Sequence, residues 1–503
     1  MISSRAKGAL LSYIFLVVRN ATSILIIPFI IKNVGLSHYG VYSLVMSVVG
    51  YLMIIELGLS NTAIRFISKA LSNNDNREAN ENFSTIITLY LIVIVISIII
   101  SVFIYNWVPS IFSGSLTLSE IDLLKEAFIY LVLNVVVTLF SNSWTGVIVA
   151  HEQFVFIKTL DLSSFLLRTG LVVLALTFGF GVMSIIAIDL VLNTLTALIK
   201  VFAVYNTTNV RPRIRLKADI TKSILSYGAF VALGVIVNQI NWRFDIFLIG
   251  ALLDSYSVAV FNVGLQFVLS FIALGAGISN VFLPKMVNLT SKGFDSKLVF
   301  NELVRIGRLQ FYILGFFLVC YIPFGPMFIE MFFGPEFELA YYSSIIVIIP
   351  FAYILCFSVS NSVLQALNMH RFKAVVLFFT SIFNIAISIL LIPSLGIIGA
   401  SLSTAVFLLV GELFLVGIYI NKKLGLNIVH FYYNLVKPTL VLFCIVFVWF
   451  LIEQPVNDWI DILNYSFLIC AVYAFSMYMV VMSSEEKQYI KSVCVSFKRF
   501  KNS

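Results

Sequence analysis

The chain has 503 residues, 60% of them apolar and only 11% charged, with a mean hydropathy of +1.04. A soluble domain carries roughly 25% charged residues, so a water-soluble globule is excluded. The net charge of +8 comes from bases that flank apolar runs, which removes nucleic acid as the reason for the basic balance.

A helix that crosses a bilayer needs roughly 20 apolar residues. About fourteen such runs occur, with cores near 9–32, 40–60, 84–107, 125–148, 159–178, 182–205, 225–250, 257–283, 303–329, 341–367, 374–393, 397–420, 437–453 and 463–482. The runs are continuous rather than alternating, so they read as helices and not as barrel strands. The first is too long for the apolar core of a signal peptide and is interrupted by Arg19, which marks it as a retained span. No connection is long enough to be a domain; the longest lie near 61–83, 108–124, 206–224 and 284–302. Residues 483–503 form a basic tail expected at the membrane surface. The fold class is therefore all-α: a polytopic integral membrane protein with about 14 transmembrane helices.

Numbering the connections alternately sorts the charges. One set holds Arg5, Lys7, Arg65, Lys69, Arg77, Lys158, Arg211, Arg213, Arg215, Lys217, Lys222, Lys285, Lys292, Lys297, Arg371, Lys373, Lys422, Lys423 and Lys437. The other holds Glu120, Asp122, Asp254, Glu336, Glu338, Asp458 and Asp461. Loops rich in Lys and Arg stay in the cytoplasm. The pattern predicts a multi-pass protein with both termini cytoplasmic.

A weak repeat runs through the chain. Gly58-Leu59-Ser60-Asn61 ends the second span, and Gly277-Ile278-Ser279-Asn280 ends the eighth, 219 positions later. The same offset sets Tyr42 opposite Phe261. Similar offsets match His151-Glu152-Gln153-Phe154 with Met369-His370-Arg371-Phe372, and Gly181 with Gly396. A six-helix unit is even, so both copies enter the membrane in the same direction, as parallel repeats do. The expected organisation is an N-lobe at 1–212, a C-lobe at 213–424, two further spans at 425–482 and the tail at 483–503. Arg211-Pro-Arg-Ile-Arg-Leu-Lys217 joins the halves.

The stretches Gly35-Leu-Ser-His-Tyr-Gly-Val-Tyr42, Glu56-Leu-Gly-Leu59 followed by Arg65, Asp245-Ile-Phe-Leu-Ile-Gly250 and Leu395-Gly-Ile-Ile-Gly-Ala400 resemble those of a known group. The chain is similar, over essentially its whole length, to the polysaccharide-exporter branch of the multidrug/oligosaccharidyl-lipid/polysaccharide superfamily, the Wzx-type O-antigen flippases. The resemblance implies two lobes around a central cavity. It also implies transport of undecaprenyl-diphosphate-linked sugars from the inner to the outer leaflet of a bacterial cytoplasmic membrane.

Charged residues at mid-bilayer are costly, at least about 2.5 kcal/mol each on insertion scales. Arg19, Arg168 and Arg243 are such residues. Arg19 and Arg243 fall on repeat-equivalent spans, and guanidinium binds phosphate oxygens in a bidentate fork. They are candidate contacts for a lipid diphosphate, with Arg168 assisting. The competing reading is internal pairing with the intramembrane acids Glu56, Asp161, Asp189 and Asp245, which are also the candidate ion-coupling groups. For Arg168 the expected partner is Asp161, two helical turns back. Arg305 and Arg308, at the start of the ninth span, are candidates for admitting the headgroup, beside the simpler reading of positive-inside flanks. Asn238, Asn241, Asn262, Gln266, Asn361, Gln365 and Asn384 are candidates for a sugar path, or for hydrogen bonds between helices.

No GxxxxGK[ST], HExxH or GxSxG motif is present, and the five cysteines form no CxxC pair. A transporter is therefore expected rather than an enzyme, with no metal or cofactor beyond a coupling ion, H+ or Na+. Its partners would be a polyprenyl-diphosphate-linked oligosaccharide, membrane lipid and other polysaccharide-assembly proteins, not nucleic acid. The rival readings are a multidrug cation antiporter of the same superfamily and, more remotely, a membrane polysaccharide polymerase or glycosyltransferase.

Overall fold

Hydrocarbon offers no partner for backbone N–H and C=O groups, so apolar runs of this length close their hydrogen bonds within helices. The computed structural model describes residues 4–488 except Leu57, Lys292, Gly293, Asn368, 453–455 and Asn457. Much of the basic tail, from residue 489 onward, lies outside the described residues. Every described element is helical. Helices α1 (Ser4–Val34), α2 (Leu36–Leu52), α3 (Leu59–Ser72), α4 (Asn76–Phe112), α5 (Leu118–Ala150), α6 (Phe154–Thr177), α7 (Val182–Thr207) and α8 (Ala218–Leu252) come first. Then follow α9 (Ser255–Ser291), α10 (Ser296–Phe333), α11 (Glu338–Phe357), α12 (Ser360–Ala366), α13 (His370–Leu395), α14 (Ile397–Leu408), α15 (Gly417–Leu424), α16 (Ile428–Ile452) and α17 (Trp459–Ser476).

Among the described residues, 13 stretches are long and apolar enough to cross a membrane. They match the predicted runs in order; the run at 225–250 falls on α8, which is not among the 13. Three predicted spans are interrupted within their length, and the fourteenth ends in a π-helix at Met477–Val481. The second breaks after α2 into a 3-10 turn (Met53–Glu56), and Gly58 takes a left-handed φ of 67° to restart the chain as α3. A side chain there would be strained, which gives the Gly58 motif a backbone cause. Its repeat counterpart Gly277 lies inside α9, so only one copy of the motif makes a break. The tenth predicted span divides into α11 and α12, and the twelfth widens into a π-helix at Leu409–Val416.

Polar residues punctuate the helices as elementary capping predicts. Thr117 and Glu120 form a capping box at the start of α5, and Asp458 and Asp461 form another at α17. The Asp75 side chain caps α4.

The chain forms two compact units. The first comprises residues to Val263 with Ile385–Ala400; the second comprises Gly264–Asn384 with the residues from Ser401. Within the first, α5 packs on α7, α4, α3 and α2, α1 packs on α6, and α2 packs on α8. Small residues allow the close approaches: a Cβ at Gly250 of α8 would collide with the Leu44 side chain of α2. Buried Asn262 donates to the Tyr39 hydroxyl at 2.9 Å and to the Ser43 hydroxyl at 3.0 Å. Ser43 and Asn262 are 219 positions apart, the offset of the sequence repeat, so positions matched by the repeat touch each other. In the second unit α10 is the hub, packing on α11, α16 and α17. Tyr473 of α17 fills the space over Gly315 of α10.

Candidate functional site

The deep arginines all belong to the first unit. Arg19 stands midway along α1, about 15 residues or roughly 22 Å from either end. Arg168 and Arg243 each stand about nine residues, roughly 13 Å, before the ends of α6 and α8. Packing of α1 on α6, α6 on α7 and α2 on α8 gathers these positions. Phe15 of α1 meets Phe165 of α6 edge to face, one helical turn from Arg19 and Arg168 respectively.

Arg168 is paired. Its Nε donates to Asp189 Oδ1 of α7, and its second guanidinium nitrogen donates to Asp189 Oδ2 at 3.0 Å. The expected partner Asp161 instead meets Lys158 at 3.1 Å. Two helical turns, about 10 Å, put Asp161 beyond reach of a direct contact, whereas the neighbouring helix brings Asp189 alongside. The Tyr42 hydroxyl of α2 lies beside the Arg168 guanidinium.

Arg19 and Arg243 have no carboxylate partner among the described residues. They lie within electrostatic reach of each other, and Arg243 is also in reach of the Tyr42 and Tyr51 hydroxyls. The stem of Arg243 crosses α2 at Gly50, where a Cβ would stand 3.7 Å from its Cγ and 3.8 Å from Gln239 Oε1. Arg243 is half-buried, while Arg19 is exposed. An exposed guanidinium at mid-helix is costly against hydrocarbon. Asp245 is 5% exposed and accepts a hydrogen bond from Ser388 at 3.0 Å; like Arg243, it lies in reach of the Tyr51 hydroxyl. The result is a local excess of positive charge lined by Tyr42, Tyr51 and Gln239, which suits an anion with several acceptor oxygens.

The remaining candidates scatter. Glu56 is half-buried, accepting from Tyr90 at 2.6 Å and from Asn142 at 3.4 Å. Asn262 serves the interhelix bonds already described. Asn361 accepts from Lys373 at 3.0 Å, and buried Asn384 donates to Thr404 at 3.5 Å. Those three side chains hold helices together rather than stand free. Gln365 is exposed, Gln266 is half-buried and Asn241 is engaged by a neighbour; the Asn238 side chain lies outside the described residues. Arg308 does not stand ready for a headgroup. Its guanidinium holds Glu486, with a 2.8 Å bond from Nε, and donates to the Val481 carbonyl at 2.8 Å, which anchors the segment after α17. Arg305 lies 3.8 Å from Glu302. Both serve ion pairs within the first four turns of α10.

Two groups escape the sequence reading. Glu412, in the π-helix, pairs with Lys373 of α13 at 2.8 Å; its place inside the twelfth apolar run was the available signal. Glu120, at the head of α5, accepts from Ser37 of α2 and Ser255 of α9. No spacing rule connects those three positions.

Comparison with known proteins gives one consistent result. The sequence profile of a family described as polysaccharide biosynthesis protein matches residues 34–341. The chain is 20% identical over 487 residues to EpsK, an uncharacterized membrane protein of Bacillus subtilis (strain 168), covering 93% of this chain and 94% of that protein. It is 19% identical over 400 residues, 78% of this chain and 92% of the other, to a Shigella flexneri protein whose name proposes O-antigen transport. Its fold is similar to the lipid II flippase MurJ in an inward closed conformation, with a TM-score of 0.73 at 13% identity over 94% of this chain and 98% of that one. It is also similar to an inward-facing multidrug resistance MATE transporter of the MOP superfamily, with a TM-score of 0.63 at 15% identity over 81% and 94%. The all-helical membrane fold and the resemblance to the polysaccharide branch of that superfamily are borne out.

Proposed function

The chain belongs to the polysaccharide biosynthesis protein family, and from that premise we propose that it is a flippase for a polyprenyl-diphosphate-linked oligosaccharide. It carries the repeat unit of a surface polysaccharide from the cytoplasmic to the outer leaflet of a bacterial cytoplasmic membrane by alternating access, with both termini in the cytoplasm. The observation that carries the reading is the pair Arg19 and Arg243, in reach of each other in one compact unit and without an ion pair among the described residues.

A diphosphate has the charge and acceptor oxygens to satisfy two guanidinium groups that form no ion pair among the described residues. Arg19 and Arg243 contact it directly. Arg168, neutralised by Asp189, acts as a positioning residue that aims the Tyr42 hydroxyl. The oligosaccharide follows the neutral polar side chains, with Gln239 and Asn241 nearest the diphosphate on α8. An ion gradient, of H+ or Na+, drives the cycle, and Glu56 and Asp245 are the acids that couple it. A multidrug cation antiporter would place acids, not arginines, where the cargo binds; the local excess of guanidinium speaks for an anionic cargo.

The test replaces Arg19 and Arg243, singly and together, by alanine and by lysine, and follows surface polysaccharide and its lipid-linked precursor in cells. Alanine at both positions is expected to abolish export and to accumulate precursor, while lysine at either restores only part. Normal export with alanine at both positions, at normal protein levels, would overturn the diphosphate role.

A further inference from the structure

The basic connector between α7 and α8 is built with more care than a topology signal requires. Lys and Arg need only be near a span to hold it in the cytoplasm. Here residues 209–217, with a bend at Ile214, run along one face of α4. Alternate backbone N–H groups, at Arg211, Arg213 and Arg215, donate to the side chains of Asn80, Ser84 and Thr88 at 2.5, 2.9 and 3.1 Å. The register works because two residues of extended chain advance about 6.6 Å and four residues of helix about 6 Å. Three contacts therefore fit before the two periods drift apart.

This seating sorts the side chains. The Arg211 guanidinium is used internally: it donates to the carbonyls of Thr208, Val210 and Tyr205 and lies over the Tyr205 ring. Lys217 and Arg77 share Glu81. Arg213 and Arg215 have no ion pair among the described residues, and both line a hollow of about 550 Å³ between the connector and α4. Five bases and one acid border that hollow. Ile214 and Leu216 alternate with the arginines and are absent from its lining; they are 80% and 48% exposed.

We propose that this hollow binds the phosphate headgroup of an anionic phospholipid, with Arg213 and Arg215 on the phosphate and Ile214 and Leu216 against the acyl region. A soluble phosphate would use the arginines and leave the apolar edge of the strand in water. A lipid uses both edges, and the charge pattern sets the connector on the cytoplasmic side, whose leaflet is anionic. The site is separate from the deep arginines and does not rest on the flippase reading.

The test measures thermal unfolding of the purified full-length protein in detergent with added phosphatidylglycerol, with phosphatidylcholine of the same chains, or with sodium pyrophosphate. Phosphatidylglycerol is expected to raise the unfolding temperature and phosphatidylcholine not to. R213Q/R215Q is expected to weaken the half-saturating phosphatidylglycerol concentration about tenfold or more, and each single variant about fivefold. S84A/T88A keeps every charge and unseats the connector, so it is expected to weaken binding as well. K422Q/K423Q, which removes two bases from the last turn of α15, is expected to leave binding within about twofold of the parent. Equal stabilisation by phosphatidylcholine, an equal loss in K422Q/K423Q, an unchanged S84A/T88A, or full stabilisation by pyrophosphate that R213Q/R215Q removes would each overturn the proposal. If R213Q/R215Q fails to fold, the two single variants carry the same comparison.

Discussion

Arg168 and Arg243 stand at the same distance from the C-terminal ends of their helices, in the same unit, and share Tyr42 as a neighbour, yet their surroundings differ. Arg168 has a two-pronged carboxylate partner on the adjacent helix. Arg243 has hydroxyls, an amide and a second arginine in reach. A paired guanidinium in a membrane holds helices together, and an unpaired one retains its demand for an anion. The difference separates a structural charge from a binding charge where residue type and depth alone do not.

The comparison can be broken at several strengths. The largest effect is expected from Arg243→Ala, which removes charge-assisted hydrogen bonds to cargo worth about 1.5–3 kcal/mol each. Export should fall about tenfold to a hundredfold, with the unfolding temperature preserved. Next is Asp189→Ala, which strands Arg168. A fully buried case would cost about 3–5 kcal/mol. The Arg168 side chain is 28% exposed, so the expected loss is smaller, about 2–3 kcal/mol in equilibrium unfolding. The double variant R168A/D189A should recover much of that stability and retain measurable export. If it exports no better than Arg243→Ala, the two arginines are not different in kind. The smallest effect is expected at Asn262→Ala, where two interhelix hydrogen bonds are lost at a cost of about 1 kcal/mol, readable by thermal unfolding with export nearly unchanged.

The spans were legible because bilayer thickness imposes a length and an apolar composition on every crossing helix. Their interruptions were less so. The break at Gly58 and the π-helix around Glu412 depend on how neighbouring helices meet, and hydropathy averages over them. The depth of Arg19 and Arg243 could be read from position in the run. Whether each had a partner could not, since Asp189 comes from another helix and lies 21 residues from Arg168. The nearest acid in sequence, Asp161, was the wrong guide for that reason. Polar residues suffered likewise: Asn262, Asn361 and Asn384 have the same composition signal as a hydrated path, and only packing reveals that each bonds a neighbouring helix. The connector shows the converse. Its bases suffice to predict the side of the membrane, but its fit along α4 depends on two periods matching in space.

The most direct measurement is binding of a polyprenyl-diphosphate oligosaccharide to purified protein, comparing R19A/R243A with R168A/D189A. A diphosphate site at Arg19 and Arg243 predicts that the first variant loses binding about a hundredfold, while the second stays within about tenfold of the parent. Undiminished binding by R19A/R243A, or an equal loss in both, would contradict it.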